Sequence, residues 1–174
     1  VKLPSPESSD YFLARKILNL GFNLVLSTGV MNDDELEFIY KKIEPNLNST
    51  NSLTVLHCVS NYPTTLNDVN LRRLSTLKKI CPKAEVGISD HTKGSLVPIL
   101  AASNGVKMIE KHIKINDKID TLDSSFSLTI KEFEEMVSSI NKVETIMGNE
   151  FIRKDKTRYG SKNIFWENRI SAHA

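Results

Sequence analysis

Short apolar runs recur along this chain: "NLVLST" (23–28), "LTVLHCVS" (53–60), "AEVGIS" (84–89) and "VKMIEKHI" (106–113). Each is too short for a helix and rich in Val, Ile and Leu, as buried strands are. Helical patterns lie between them. Residues 9–20 predict a helix stopped by Gly21. Leu36, Ile39, Tyr40 and Ile43 share a helical face behind Asn32-Asp33-Asp34, a cap and acids suited to a helix start. Leu71, Leu74 and Leu77 repeat the spacing, and "SLVPILAASNG" is apolar almost all round, which predicts a buried helix. Thr129 and Glu132 fit a capping box ahead of a stripe of Phe133, Met136, Val137, Ile140 and Val143, with Gly148 as the stop. Alternation of this kind, about five times over, means a parallel sheet with right-handed crossovers.

No glycine-rich phosphate turn follows any of the strands, which weakens a nucleotide-binding doubly wound fold. Instead Ser27, Ser60, Ser89, His91 and His112 gather near strand ends. A parallel β/α barrel puts its chemistry at those ends. A whole barrel has eight units in about 250 residues, so five units in 174 would be an incomplete one. Strand parity sharpens this. Gly87, Ser89 and His91 share one face, as do Met108, Glu110 and His112, so two imidazoles from neighbouring strands converge at one mouth. Such a pair, with positions left for water or substrate, suits a catalytic metal better than a structural one. From spacing alone the simpler reading is that each histidine caps or hydrogen-bonds its own loop. His57 and His173 are expected to be structural or solvated.

Net charge is only +2 with signs interspersed, which argues against nucleic acid or a membrane surface as partner. No apolar run approaches the roughly 20 residues of a membrane span. Cys58 and Cys81 make no disulfide framework, which points to a reducing, cytoplasmic setting. The opening Val1-Lys2-Leu3-Pro4 reads as a cut into an element, so a fragment or processed chain is expected. Residues 149–174 lack either periodicity and read as a linker or tail, with Phe165 and Trp166 docking on the body.

The segments "LSTGV", "LHCVSNYPT", "DVNLRRLSTLKK", "VGISDHTKG" and "MIEKHIKI" come in the order and spacing of the sialic acid synthase family, from Lys2 to about Gly148. The resemblance implies a (β/α)8 TIM barrel, with residues 1–148 covering about its fourth to eighth units. Residues 149–174 then lead toward a C-terminal antifreeze-like domain that lies outside this chain. It implies condensation of phosphoenolpyruvate with an N-acylated hexosamine such as N-acetylmannosamine, giving a nine-carbon 2-keto sugar acid and phosphate. It also implies a homodimer for the full-length protein.

By the same resemblance His91 and His112 bind a divalent metal, Mn²⁺ first, with Mg²⁺ or Co²⁺ as alternatives. "KLPSPE" resembles the family's K-[IV]-x-S-x-E strand, which gives Lys2 and Ser5 to phosphoenolpyruvate and Glu7 to the sugar. Ser27, Ser60 and Ser89 match further phosphoenolpyruvate contacts, and Tyr62 an aromatic residue near the acceptor. Asp123 matches an aspartate that grips sugar hydroxyls, although Asp120-Thr121-Leu122 replaces the family's P-G-P or G-G-P before it. "LHCVS" and "DVNL" resemble the neuraminate and legionaminate enzymes, toward which the reading leans, and "DSSFSL" the pseudaminate branch. A glutamate and a lysine of the family's first three units are not in this chain. The second reading is therefore a non-catalytic fragment or degenerate paralogue that binds metal or a partner chain. A third is a Schiff-base aldolase using Lys111, which parity places opposite His112.

Overall fold

The computed structural model describes residues 1–116 and 121–148. Within them β1 (Lys2–Leu3), β2 (Leu24–Ser27), β3 (Leu53–Cys58), β4 (Glu85–Asp90) and β5 (Ile109–Lys111) form one sheet, parallel throughout and ordered as in the chain. The intervening helices are α1 (Tyr11–Asn19), α2 (Asp33–Ile43), α3 (Arg73–Ile80) and α4 (Leu96–Ser103). A short parallel pair, β6 (Ile113–Lys114) and β7 (Leu128–Thr129), then leads into α5 (Ile130–Met147). The expected α/β class and parallel alternation are therefore present. The linker reading of 149–174, the docking of Phe165 and Trp166, and His173 lie outside the described residues.

Helix starts follow from side-chain chemistry. Asn32 accepts the Glu35 N–H at 2.9 Å while Glu35 accepts the Asn32 N–H at 2.8 Å, a reciprocal cap for α2. Thr129 and Glu132 do the same for α5. Asp10 caps α1 through the Leu13 N–H, and Gly21 follows its end at φ +80°.

The pairing register sorts the sheet into two faces. Leu3, Leu24, Leu26, Leu53, Val55, Val86 and Ile88 point to the helices, where they pack against Leu18, Leu36, Ile43, Leu74, Leu77 and Ala101. The other face carries Lys2, Ser27, Leu56, Cys58, Gly87, Ser89 and Glu110. Four strand spacings would separate β1 from β5 by roughly 19 Å in a flat sheet. Yet Lys2 Nζ lies 2.6 Å from Glu110 Oε1. The sheet must therefore curl strongly, and this second face is the inside of a half-barrel. Gly87 permits a close approach between strands: a Cβ there would sit 2.5 Å from Leu56 Cδ2 and 2.6 Å from the Met108 carbonyl oxygen.

Three expectations need correction. The last strand, predicted over 106–113, is interrupted at His112, whose carbonyl takes the Leu128 N–H from β7. Helix α4 is not buried all round: Val97, Pro98 and Ala101 face inward, while Leu96 and Leu100 are 56% and 44% exposed. It packs on β4 and α5 with one side only, and its apolar pattern overstated its burial. The α5 stripe likewise buries only Met136 fully. Among the described residues no helix is long and apolar enough to cross a membrane.

His57, on the helix-facing side, is structural as expected. Its Nε2–H donates to the Val69 carbonyl at 2.6 Å and its Nδ1 is buried without a partner among the described residues. Burial lowers its pKa below the ordinary 6.5, opposed by the Val69 bond and reinforced by Arg73. The folded chain thus takes up this proton less readily than the unfolded chain. Stability holds above 6.5 and declines as pH falls below that value toward the lowered one, by at most about 1.4 kcal/mol per pH unit. Urea midpoints between pH 7.5 and 5 should show the decline, and His57→Gln should flatten part of it. Equal slopes in both proteins would refute the assignment.

Candidate active site

On the concave face the β4–β5 register sets Ser89 beside Glu110. Ser89 Oγ donates to Glu110 Oε1 at 2.6 Å, and Lys2 Nζ donates to the same oxygen at 2.6 Å. Burial alone would raise the Glu110 carboxyl, but the Lys2 and Ser89 bonds and the Lys2 charge outweigh it, so the group stays below the usual carboxylate range. Lys2 and Glu110, from opposite edges of the sheet, thus meet at one point together with the Ser89 hydroxyl.

A second cluster forms around Gly29. Ser5 Oγ accepts the Gly29 N–H at 3.0 Å. A Cβ on Gly29 would stand 2.4 Å from Ser60 Oγ, 2.7 Å from Ser5 Oγ and 3.0 Å from Cys58 Sγ. Glycine is what lets the two hydroxyls close on one spot. Ser27, two residues earlier at the end of β2 and on the inner face, is buried and its hydroxyl has no partner among the described residues. Buried hydroxyls without protein partners are rare. Here one lies on the same sheet face as Lys2 and Ser89.

The histidines converge as parity required, with ring centroids 5.4 Å apart. His91 Nδ1–H donates to the Val59 carbonyl at 3.1 Å, which leaves Nε2 as its lone-pair nitrogen. Asp123 Oδ2 lies 3.4 Å from His112 Nδ1 and favours the proton there, leaving Nε2 free in the same way. Burial lowers the His91 pKa, against the Val59 bond and with help from His112, so its imidazole is neutral at pH 7. In each ring Nδ1 faces another group, so Nε2 is the nitrogen that would be offered to a divalent cation. Among the described residues no group of three or more His, Cys, Asp or Glu side chains converges as a ligand set. The donor set fits an ion held by two imidazoles with its other positions left to solvent or substrate oxygen. It does not fit a closed structural site.

Aromatic rings wall this pair. Tyr62 lies 4.2 Å from the His91 ring. Phe126, only 2% exposed, lies 5.0 Å from His112, 6.1 Å from His91 and 5.8 Å from Tyr62. Reading the sequence for polar groups passed over Phe126, although a lone aromatic within the polar "DSSFSL" was the available signal. Gly29 and the bridging role of Glu110 were missed too. Glu7 is exposed on a 3₁₀ turn and makes none of these contacts.

Behind the strands, Lys111 Nζ pairs with Asp90 Oδ2 at 2.7 Å and donates to the Thr92 carbonyl. Asp90 in turn accepts the Thr92 N–H at 3.1 Å and its Oγ1–H at 3.0 Å. The side chains of Lys111 and Asp90 are 0% and 2% exposed. This buried pair fixes the turn that presents His91. It also keeps Lys111 on the face away from the mouth, which removes the geometry a Schiff-base aldolase needs.

In sequence and fold the chain is similar to known proteins. Pseudaminic acid synthase of Campylobacter jejuni is 35% identical over 173 residues, covering 94% of this chain and 50% of that protein. N,N'-diacetyllegionaminic acid synthase of Legionella pneumophila is 34% identical, over 86% of this chain and 42% of its own length. Human N-acetylneuraminate-9-phosphate synthase is 31% identical, over 85% and 40%. The crystal structure of N-acetylneuraminic acid synthetase from Leptospira borgpetersenii superposes with a TM-score of 0.82 at 27% identity, covering 96% of this chain and 56% of that one. The chain thus spans about half the length of the curated relatives it matches. Residues 1–151 match the NeuB family, and with these relatives the conclusion is direct: the chain belongs to the NeuB family, that of the sialic acid synthases.

Proposed function

We propose that this chain is the fourth-to-eighth-unit part of a (β/α)8 barrel that condenses phosphoenolpyruvate with an N-acylated hexosamine. The product is a nine-carbon 2-keto sugar acid, and phosphate leaves. The observation that carries the reading is the pairing of two Nε2-presenting imidazoles with a lysine-and-serine cluster on one concave face. One half suits a carbonyl electrophile and the other an anion. Residues 149–174 read as the linker toward a further domain, and the full-length protein as a cytoplasmic homodimer.

In this reading Lys2 and the hydroxyls of Ser5, Ser27, Ser60 and Ser89 orient the phosphate and carboxylate of phosphoenolpyruvate. Tyr62, Glu7 and Asp123 orient the sugar. His91 and His112 hold a divalent cation, Mn²⁺ with Mg²⁺ or Co²⁺ in its place, which when bound supplies Lewis-acid polarisation of the sugar aldehyde. C3 of phosphoenolpyruvate bonds to the aldehyde carbon, water adds at C2, and the C2–phosphate ester breaks. The ring of Phe126 packs against both imidazoles and steadies them.

Asp123 separates sugar from anion recognition. A carboxylate beside a phosphate repels it, so Asp123 belongs with the acceptor. Asp123→Asn should raise KM for the sugar or lower kcat, with phosphoenolpyruvate affinity nearly unchanged. Initial-rate kinetics on the full-length protein decide it, and a main effect on phosphoenolpyruvate would reverse the assignment.

A second reading, a metal-binding or partner-binding chain without turnover, is favoured by the sheet: among the described residues β1 and β5 each pair on one side only. An open half-barrel admits water and loses the preorganised field such chemistry needs. The 174-residue chain by itself should therefore release no phosphate from phosphoenolpyruvate with N-acetylmannosamine and Mn²⁺. Sugar-dependent turnover by a monomeric 174-residue protein, checked by sedimentation, would overturn this expectation.

A further inference from the structure

One carboxylate oxygen, Glu110 Oε1, accepts both Lys2 Nζ and Ser89 Oγ, each at 2.6 Å. These are two of the donors that the proposed function gives to the anionic substrate, and the inference rests on that reading. A phosphate or carboxylate oxygen bound by Lys2 and Ser89 together needs the position that Glu110 Oε1 holds. Two anionic oxygens do not share it, because they repel at such a distance. The Lys2 and Glu110 side chains are 38% and 36% exposed, and an ion pair that open is weak enough for a ligand to displace.

We infer that Glu110 is a positioning residue that competes internally with the substrate's anion for Lys2 and Ser89. It holds both donors in place and makes the site selective for charge. A singly charged anion meets an equal rival and gains little. Phosphoenolpyruvate carries a phosphate and a carboxylate, so it gives Lys2 and Ser89 one group while the second engages the hydroxyls at Gly29. Displacement then favours the ligand with two anionic groups over a simple carboxylate. The sequence motif places Glu110 beside His112, but its bond to Lys2 depends on the curl of the sheet, since the two residues are 108 positions apart.

The test is an NMR titration of the full chain with phosphoenolpyruvate in EDTA, so that the histidine pair holds no metal. Glu110→Gln keeps the size and removes the charge. It should bind phosphoenolpyruvate about fivefold tighter, the upper end of what an exposed pair is worth. The preference for phosphoenolpyruvate over acetate should shrink as well. Glu110→Ala should shift affinity in the same direction and decides the matter if the glutamine variant does not fold. Unchanged or weaker binding in the folded variant overturns the inference. Lys2→Gln and Ser89→Ala test the underlying reading separately, since each should weaken binding. If neither does, or if the unaltered chain shows no saturable binding, the anion site itself is wrong. If both weaken binding while Glu110→Gln does not tighten it, only the role of Glu110 falls.

Discussion

Alanine in place of either His91 or His112 should cost the chain more than about a hundredfold in Mn²⁺ affinity, beyond the tenfold to hundredfold lost when only an outer partner of a ligand is changed. The physical ground is the small donor set. Two imidazoles 5.4 Å apart, centroid to centroid, each have Nδ1 directed at another group, Val59 for one and Asp123 for the other. Each therefore contributes one nitrogen. With one ring gone, the remaining protein ligand faces an ion whose other positions are all solvent, and solvent competes at no disadvantage. Phe126→Ala removes only the wall that steadies the rings, so it should cost less than either histidine change. Calorimetry with Mn²⁺ on the full-length protein gives the comparison. Unchanged binding in both histidine variants would remove the metal from the proposed function.

Asp90→Ala should be the most damaging single change to stability, at about 3–5 kcal/mol. It leaves the Lys111 ammonium, 0% exposed, without its countercharge, and leaves the Thr92 N–H and hydroxyl without their acceptor. Lys111→Met should do harm of the same kind by stranding the Asp90 carboxylate. Replacing both together, Asp90→Val with Lys111→Met, should recover much of the loss, because two apolar groups of similar volume carry no desolvation cost. Urea unfolding of the three variants separates these cases. A double variant as unstable as the sum of the singles would mean that the Thr92 bonds, and not the charge pair, hold the turn.

Much of this architecture was legible in local pattern. Caps such as Thr129 with Glu132, and strand parity through Ser89, His91, Glu110 and His112, depend on neighbours within a few residues, and the structure has them as read. What escaped the sequence depends on what stands across from a residue. The four aliphatic residues of "LVPIL" look uniformly buried, yet only one side of α4 has anything to pack against. Gly29 looks like any glycine until Ser5 and Ser60, 24 positions before and 31 after it in the chain, close over it. Phe126 reads as an isolated apolar residue in a polar loop, and only the fold supplies Tyr62, His91 and His112 around it.

The two faces of β4 and of the segment through β5 also bear on how this protein can be altered. Asp90 and His91 are neighbours in the chain, as are Lys111 and His112, yet each neighbour looks the opposite way. Deleting or inserting one residue upstream in either strand would exchange the two sets. A carboxylate or ammonium would then project into the mouth and an imidazole into the apolar layer beneath the helices. Length changes in 85–91 and 109–112 should therefore be far less tolerated than substitutions there, whereas the exposed turn at 48–52 connecting α2 to β3 offers room for insertions. A directed library for new acceptor sugars is best built with the strand lengths frozen, with diversity placed in the turns that follow them.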